Sequence, residues 1–158
     1  MFLRLVKTAI FSVAAPGMVG LLIPYSVQRP SEMHVFFPAG QVILGATLIC
    51  VGVAIYLWCA WDFVSKGLGT PAPIDAPRVL VVKGLYRFTR NPMYVGVSSM
   101  ILGQSVYFGS ARLLAYLACI VTAFHLFVRL YEEPTLRRLF GSQYDDYRQQ
   151  VPRWLFRK

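Results

Sequence analysis

The sequence predicts an all-α fold, an integral membrane helical bundle of about four transmembrane helices followed by an amphipathic C-terminal helical tail. Two observations support this class. The 158 residues are 56% hydrophobic with a mean hydropathy of +0.53, which is too apolar for a soluble domain of this length. The apolar residues also occur in runs long enough to cross a bilayer rather than at amphipathic spacing. The length corresponds to one domain, residues 1–158.

The first predicted span covers residues 5–27 and contains Pro16, which a membrane helix tolerates where neighbouring helices cover the freed backbone. A cleaved signal peptide is the competing interpretation, because basic residues precede the apolar run. The run is long for a signal peptide, and Pro16 directly follows Ala14 and Ala15, which is a poor context for cleavage. We therefore expect a membrane helix here.

The second predicted span covers residues 41–61. Gly45 and Gly52 allow another helix to approach closely, and Trp58 and Trp61 lie near the boundary where aromatic belts occur.

Residues 63–91 form the longest predicted loop between spans, and loops of this length in compact proteins are usually functional or disordered. Asp62 is interpreted as the polar boundary of the second span, with a contact to this loop as the alternative. Gly67 and Gly69 form a Gly-x-Gly pair, but two glycines before a proline-rich stretch are most often turn residues.

The third predicted span, residues 92–108, begins at a strong helix start. The Asn91 side chain can accept from free amides of the first turn, and Pro92 has no amide to leave unpaired. A tight turn at residues 109–110 then leads into the fourth span, residues 111–131. The last two spans are therefore expected to form an antiparallel hairpin.

The tail, residues 134–158, is predicted to lie along the membrane surface. A short helix over residues 134–140 is expected to stop at Gly141, and a capping box from Ser142 to Asp145 starts another helix. Apolar and aromatic residues of this region fall on one face, and most of its charges lie elsewhere.

The formal charge of +9 indicates anionic lipid headgroups as partners rather than nucleic acid, because basic residues flank hydrophobic runs instead of forming one soluble face. Four spans place most lysines and arginines on one side of the membrane. The positive-inside rule therefore predicts that both termini and the loop 63–91 face the cytoplasm.

No disulfide or metal site is predicted. Cys50, Cys59 and Cys119 lie inside apolar spans without paired spacing and are interpreted as small core residues. His125 is an ionisable residue within a span and hence a functional candidate by default, but it has no second ligand at metal-binding spacing. A hydrogen-bonded packing role is the alternative.

Two blocks carry most of the polar chemistry. The first has the pattern Gly-x-Tyr-x-x-x-Arg-(His or Asn)-Pro-x-Tyr-x-Gly and comprises Gly84, Tyr86, Arg90, Asn91, Pro92, Tyr94 and Gly96. The second is a Glu-Glu pair followed by Leu, Phe-Gly, Tyr-x-x-Tyr and Pro-Arg, and comprises Glu132, Glu133, Leu136, Phe140, Gly141, Tyr144, Tyr147, Pro152 and Arg153.

These blocks, in this order, resemble the signature of the membrane methyltransferase superfamily that contains isoprenylcysteine carboxyl methyltransferases and phospholipid N-methyltransferases. The resemblance covers about residues 67–153. It implies an enzyme that uses S-adenosylmethionine, with residues 63–91 as the cofactor loop. Asn91 departs from members that carry His at this position, which leaves the identity of the substrate open.

The resemblance also implies roles for single residues. The implied cofactor-binding residues are Gly84, Tyr86, Arg90, Asn91, Pro92, Tyr94, Glu132 and Glu133. An arginine and a helix start suit the carboxylate of the methyl donor, S-adenosylmethionine. Tyrosines suit its apolar parts, and acidic residues suit its ammonium group or ribose. The structural alternatives are a simple helix cap and membrane anchor at residues 90–92 and an acidic first helical turn at residues 132–133.

Tyr147 and Arg153 are the candidate catalytic residues, with Arg153 orienting an anionic acceptor or, alternatively, contacting a lipid phosphate. By resemblance the reaction is carboxyl O-methylation of a prenylated cysteine or a similar lipophilic acceptor that enters from the lipid. N-methylation of a phospholipid amine is the nearest alternative, and a non-catalytic lipid-binding or scaffold protein is the third. The sequence leaves the acceptor and the oligomeric state open.

Overall fold

The computed structural model describes residues 13–27, 38–65 and 79–154. Within these ranges every regular element is a helix, which confirms the all-α class. The helices are α1, π-helical over Val13–Leu22 and α-helical over Ile23–Val27; α2, Ala39–Ser65; α3, Pro92–Phe108; α4, Ala111–Phe127; α5, Glu133–Phe140; and α6, Ser142–Gln150. A 3-10 turn, Gly84–Arg87, precedes α3. Much of the predicted cofactor loop, with Gly67 and Gly69, lies outside the described residues.

Among the described residues, two helices are long and apolar enough to cross a membrane, Ala39–Asp62 and Ala111–Phe140. In the most apolar 18-residue stretch of each helix, only 22% and 11% of the stretch, respectively, is buried inside the protein. Most of the apolar surface of both helices therefore faces outward. This is the pattern expected of helices that contact lipid. The apolar stretch Pro16–Val27 is shorter, and α3 has 17 residues, so the count of four spans stays a prediction.

Helices α2 and α3 pack against each other through glycines, as predicted for Gly45 and Gly52. A Cβ on Gly103 would lie 2.7 Å from the carbonyl oxygen of Gly45, and one on Gly96 would lie 2.9 Å from that of Gly52. Ser99 adds a hydrogen bond of 2.9 Å to the carbonyl of Leu48 in α2. Close backbone contact of this kind holds membrane helices together without a hydrophobic driving force.

The described part of α1 packs on this pair through polar contacts as well as apolar ones. Gln104 of α3 is buried and donates to the Gly20 carbonyl at 2.6 Å, and the Tyr116 hydroxyl of α4 donates to the Val19 carbonyl at 3.0 Å. The carbonyl of residue 20 belongs to the π-helical segment and gains an external donor in this way.

The hairpin between α3 and α4 forms as predicted. Gly109 adopts φ +62°, which favours glycine, and the Ser110 hydroxyl caps α4 by accepting from the amide of Leu113 at 3.4 Å.

The end of α4 differs from the prediction of separate helices over residues 111–131 and 134–140. A π-helical turn, Val128–Glu132, joins α4 directly to α5, and the helix continues to Phe140 before Gly141 ends it. Pro134 is accommodated at this junction, where the π turn has already changed the register of the backbone hydrogen bonds. Such π turns are frequent at functional sites, and this one contains Glu132.

Candidate active site

The first sequence block starts at Gly84, whose φ of +62° favours glycine. A Cβ at this position would overlap the Oδ2 atom of Asp62, which is only 7% exposed at the end of α2. Asp62 therefore contacts the first block, which is the alternative that the sequence left open. The only feature of the sequence that pointed to this contact was the position of Asp62 as a single acid at the end of an apolar run.

The next residues of this block hold the tail of the chain. The Arg90 amide donates to the Pro152 carbonyl at 3.0 Å, and the carbonyl of Arg153 accepts from the Thr89 hydroxyl at 3.1 Å and from Asn91 Nδ2 at 2.9 Å. Asn91 precedes Pro92 at the start of α3, as predicted, but its side chain makes no capping hydrogen bond. The expected capping role is thus replaced by a contact with the tail.

Glu133 lies at the centre of a buried ion cluster that joins the two sequence blocks. Arg153 binds its carboxylate with two hydrogen bonds of 2.7 and 2.8 Å, and Arg90 Nη1 lies 3.0 Å from Oε1. The side chains of Arg90 and Glu133 are 9% and 10% exposed, whereas that of Arg153 is 29% exposed. The hydrogen bond to Glu133 raises the pKa of Arg153 above its ordinary value.

The neighbouring acid, Glu132, has a different environment. Its Oε2 atom accepts a hydrogen bond of 2.9 Å from the Tyr94 hydroxyl, and the Tyr94 ring lies 4.6 Å from that of Phe124. Within the described residues no basic side chain forms an ion pair with Glu132. The two consecutive acids therefore have distinct partners, a neutral tyrosine for Glu132 and two arginines for Glu133.

Tyr147 and Tyr86 also meet, since the Tyr147 hydroxyl donates to the Tyr86 carbonyl at 2.7 Å. Burial raises the pKa of Tyr147, so this hydroxyl stays protonated at neutral pH. Tyr147 packs with Tyr144 and Val151 in a small buried cluster. In this arrangement Tyr147 positions the backbone of the 3-10 turn.

Each of the ten predicted site residues is described, and eight of them meet in pairs or clusters across the two blocks. Gly84 and Pro92 contribute backbone geometry, the first as a left-handed residue and the second as the first residue of α3. The sequence did not reveal the contribution of Thr89 or that of Tyr144, whose hydroxyl accepts from Arg90 at 3.2 Å.

The remaining candidates have structural contacts. His125 Nδ1 accepts a hydrogen bond of 3.3 Å from the indole of Trp154, in agreement with the packing alternative. The three cysteines are free, with Cys59 buried and Cys50 and Cys119 exposed. No group of three potential metal-ligating residues occurs in the part of the chain that the structure describes.

Two groups of the site match polar parts of S-adenosylmethionine, the cofactor that the resemblance implies. Arg90 Nε is buried and has no hydrogen-bond partner among the described residues, so a ligand carboxylate near Arg90 would satisfy it. Glu132 offers a carboxylate that no cation of the described residues pairs with, which suits an ammonium or ribose hydroxyls. The residues present therefore fit the cofactor that the resemblance implies.

The tail contact leads to a first prediction. Asn91→Ala is expected to lower the free energy of unfolding by about 1 kcal/mol, because the Arg153 carbonyl loses one donor. Asn91→Asp is expected to be worse, since a carboxylate would face that carbonyl, although Asp is as good a helix cap as Asn. Thermal unfolding in detergent measures both, and an Asp variant as stable as wild type would restore the capping interpretation.

A sequence model described as phospholipid methyltransferase matches residues 40–143 of the chain, about two-thirds of its length. The match includes helices α2 to α5, the whole first block and the Glu132–Glu133 pair. No curated protein and no solved structure matches the chain.

Proposed function

The chain belongs to the phospholipid methyltransferase family, and from this premise we propose that it transfers a methyl group from S-adenosylmethionine to a lipophilic acceptor at the cytoplasmic surface of a membrane. The observation that carries the proposal is the Arg90–Glu133–Arg153 cluster, because it unites the two blocks that resemble membrane methyltransferases in one buried site.

The proposed division of roles follows from charge and hydrogen bonding. Arg90 would hold the cofactor's carboxylate, Glu132 its ammonium or ribose hydroxyls, and Tyr94 would orient Glu132 through their hydrogen bond. Bound S-adenosylmethionine supplies an electrophilic methyl group on a sulfonium. The protein's own contribution is to orient the two reactants and exclude bulk water, and this reaction needs no metal.

A carboxylate of the prenylated-cysteine type is the first proposed acceptor. It requires a cationic partner and no general base, and Arg153 can serve as that partner because it is the most exposed member of the cluster. Tyr147 is then proposed to act through position, since its protonated hydroxyl fixes the turn that precedes Arg90. The acceptor would enter from the lipid.

The family match is compatible with a second candidate, N-methylation of a phospholipid amine. An amine must lose a proton before or during transfer, so this reaction needs a proton acceptor. Glu133 is a poor one because two arginines bind it. Glu132 is the better candidate base, because it forms no ion pair within the described residues.

Methyl transfer from labelled S-adenosylmethionine tests the proposal directly. Purified protein in lipid nanodiscs is offered a farnesylated cysteine derivative or phosphatidylethanolamine. A methyl ester releases its label as methanol in base, whereas an N-methyl group keeps it, so the product identifies the nucleophile.

We expect Glu132→Gln to lower the rate roughly 10- to 100-fold, because the loss of a hydrogen bond to a charged group changes a rate or affinity by about this factor. Arg112→Gln, at the start of α4, is the control and is expected to leave the rate unchanged. Methylation of neither acceptor by folded protein that binds the cofactor would exclude both acceptor classes. Failure to bind the cofactor as well would favour the non-catalytic alternative.

A further inference from the structure

A basic cleft of about 420 Å³ lies between the end of the long α4–α5 helix and α6. It is lined by Arg129, Glu133, Pro134, Arg137, Arg138 and Arg148. Four arginines thus meet around one open depression, and the roles proposed above use none of them.

Acids among the described residues compensate only part of the positive charge of this basic cleft. Both carboxylate oxygens of Glu133 are already bound by Arg90 and Arg153. Arg137 pairs with Asp145 at 3.2 Å, which links α5 to α6.

The other three lining arginines, Arg129, Arg138 and Arg148, form no ion pair with any acid among the described residues and are exposed. Guanidinium groups held close together repel one another unless an anion lies between them. Their planar donors match the oxygens of phosphate well.

The surroundings indicate that the anion belongs to a lipid. The basic cleft is at one end of a helix that is long and apolar enough to cross a membrane. On that helix, Leu126, Leu130 and Tyr131 lie within three residues of Arg129 in the sequence and are 49%, 70% and 50% exposed, although all three are largely apolar. A ligand with a phosphate beside acyl chains satisfies both surfaces at once.

We propose that the basic cleft binds the phosphate of an anionic phospholipid at the membrane surface, beside the Glu133 carboxylate that lines the cleft and belongs to the ion cluster. The bound headgroup neutralises Arg129, Arg138 and Arg148 and holds α5 and α6 against the bilayer. The proposal does not depend on the enzymatic function, since it rests on the charge and position of the cleft alone.

Native mass spectrometry of the full chain in detergent tests this proposal with phosphatidylglycerol, phosphatidylcholine and inorganic phosphate as probes. We expect wild-type protein to retain phosphatidylglycerol preferentially. The double variant Arg138→Gln/Arg148→Gln is expected to weaken this binding roughly 25-fold, or about fivefold for each arginine near the surface. The control is Arg112→Gln, because Arg112 lies at the opposite end of the long helix. This variant is expected to bind phosphatidylglycerol as wild type does.

Equal affinity of wild type and the double variant would overturn the proposal. So would equal binding of inorganic phosphate and lipid, because the cleft would then be a site for a soluble anion. If the double variant does not fold, wild-type protein still decides the question. Its affinity for phosphatidylglycerol must fall as ionic strength rises and exceed its affinity for phosphatidylcholine, and absence of either effect contradicts the proposal.

Discussion

Replacing Glu133 with glutamine is expected to lower the free energy of unfolding by about 3 kcal/mol, because two arginines lose their shared counterion in a buried site. Arg90 bears most of this loss, since its side chain is only 9% exposed. Arg153 is partly exposed and water can compensate part of its charge. Unfolding in detergent, followed by intrinsic fluorescence, measures the change.

The neighbouring substitution Glu132→Gln is the matched control, with an expected loss of only about 1 kcal/mol because its hydrogen bond with Tyr94 can persist. In the double variant Arg90→Met/Glu133→Gln, the loss is expected to be smaller than the sum of the single losses, since the uncompensated Arg90 charge is gone. Additive losses would show that Arg90 and Glu133 do not interact in the folded protein.

Gly52→Ala is the second substitution with a large expected effect. A Cβ at Gly52 would lie 2.5 Å from the Gly96 carbonyl oxygen and 2.8 Å from the Met100 amide nitrogen, and neither backbone atom can move without separating α2 from α3. We expect a loss of about 3 kcal/mol in the free energy of unfolding. Thermal unfolding in detergent checks the value.

Gly40→Ala is the control within the same helix, because nothing lies within 4 Å of a Cβ there. It is expected to be neutral or to stabilise α2 by up to about 1 kcal/mol. If Gly52→Ala proved as benign as Gly40→Ala, the close packing of α2 on α3 would be contradicted. Because the end of the first sequence block, Pro92 to Gly96, lies in α3, Gly52→Ala should also weaken cofactor binding.

Local signals in the sequence predicted much of the fold. Asn91-Pro92 and Gly109-Ser110 marked the ends of α3 at the correct residues, because helix starts and left-handed turns depend on a few neighbouring atoms. The join between α4 and α5 was not predictable in this way. A Glu-Glu-Pro sequence is equally compatible with a new helix start and with a π turn, and tertiary contacts of Glu132 and Glu133 accompany the observed choice.

For the site, the two motif blocks predicted which residues matter but not how they pair. The ion cluster links residues 90, 133 and 153, and such distant contacts leave no periodic signal in one sequence. Asn91 illustrates the limit. Its local context predicts a helix cap, but the returning tail offers its side chain the carbonyl of Arg153 as a better partner.

Calorimetric titration of the detergent-purified protein with S-adenosylhomocysteine tests the central claim, that the two blocks together form a cofactor site. We expect saturable binding by wild type, weakened at least tenfold in Glu132→Gln and unchanged in Arg112→Gln. The binding is measured beside thermal unfolding, so that loss of affinity is separated from loss of fold. Absence of binding by folded wild-type protein, or equal affinity in Glu132→Gln, would contradict the assignment of the two blocks as the cofactor site.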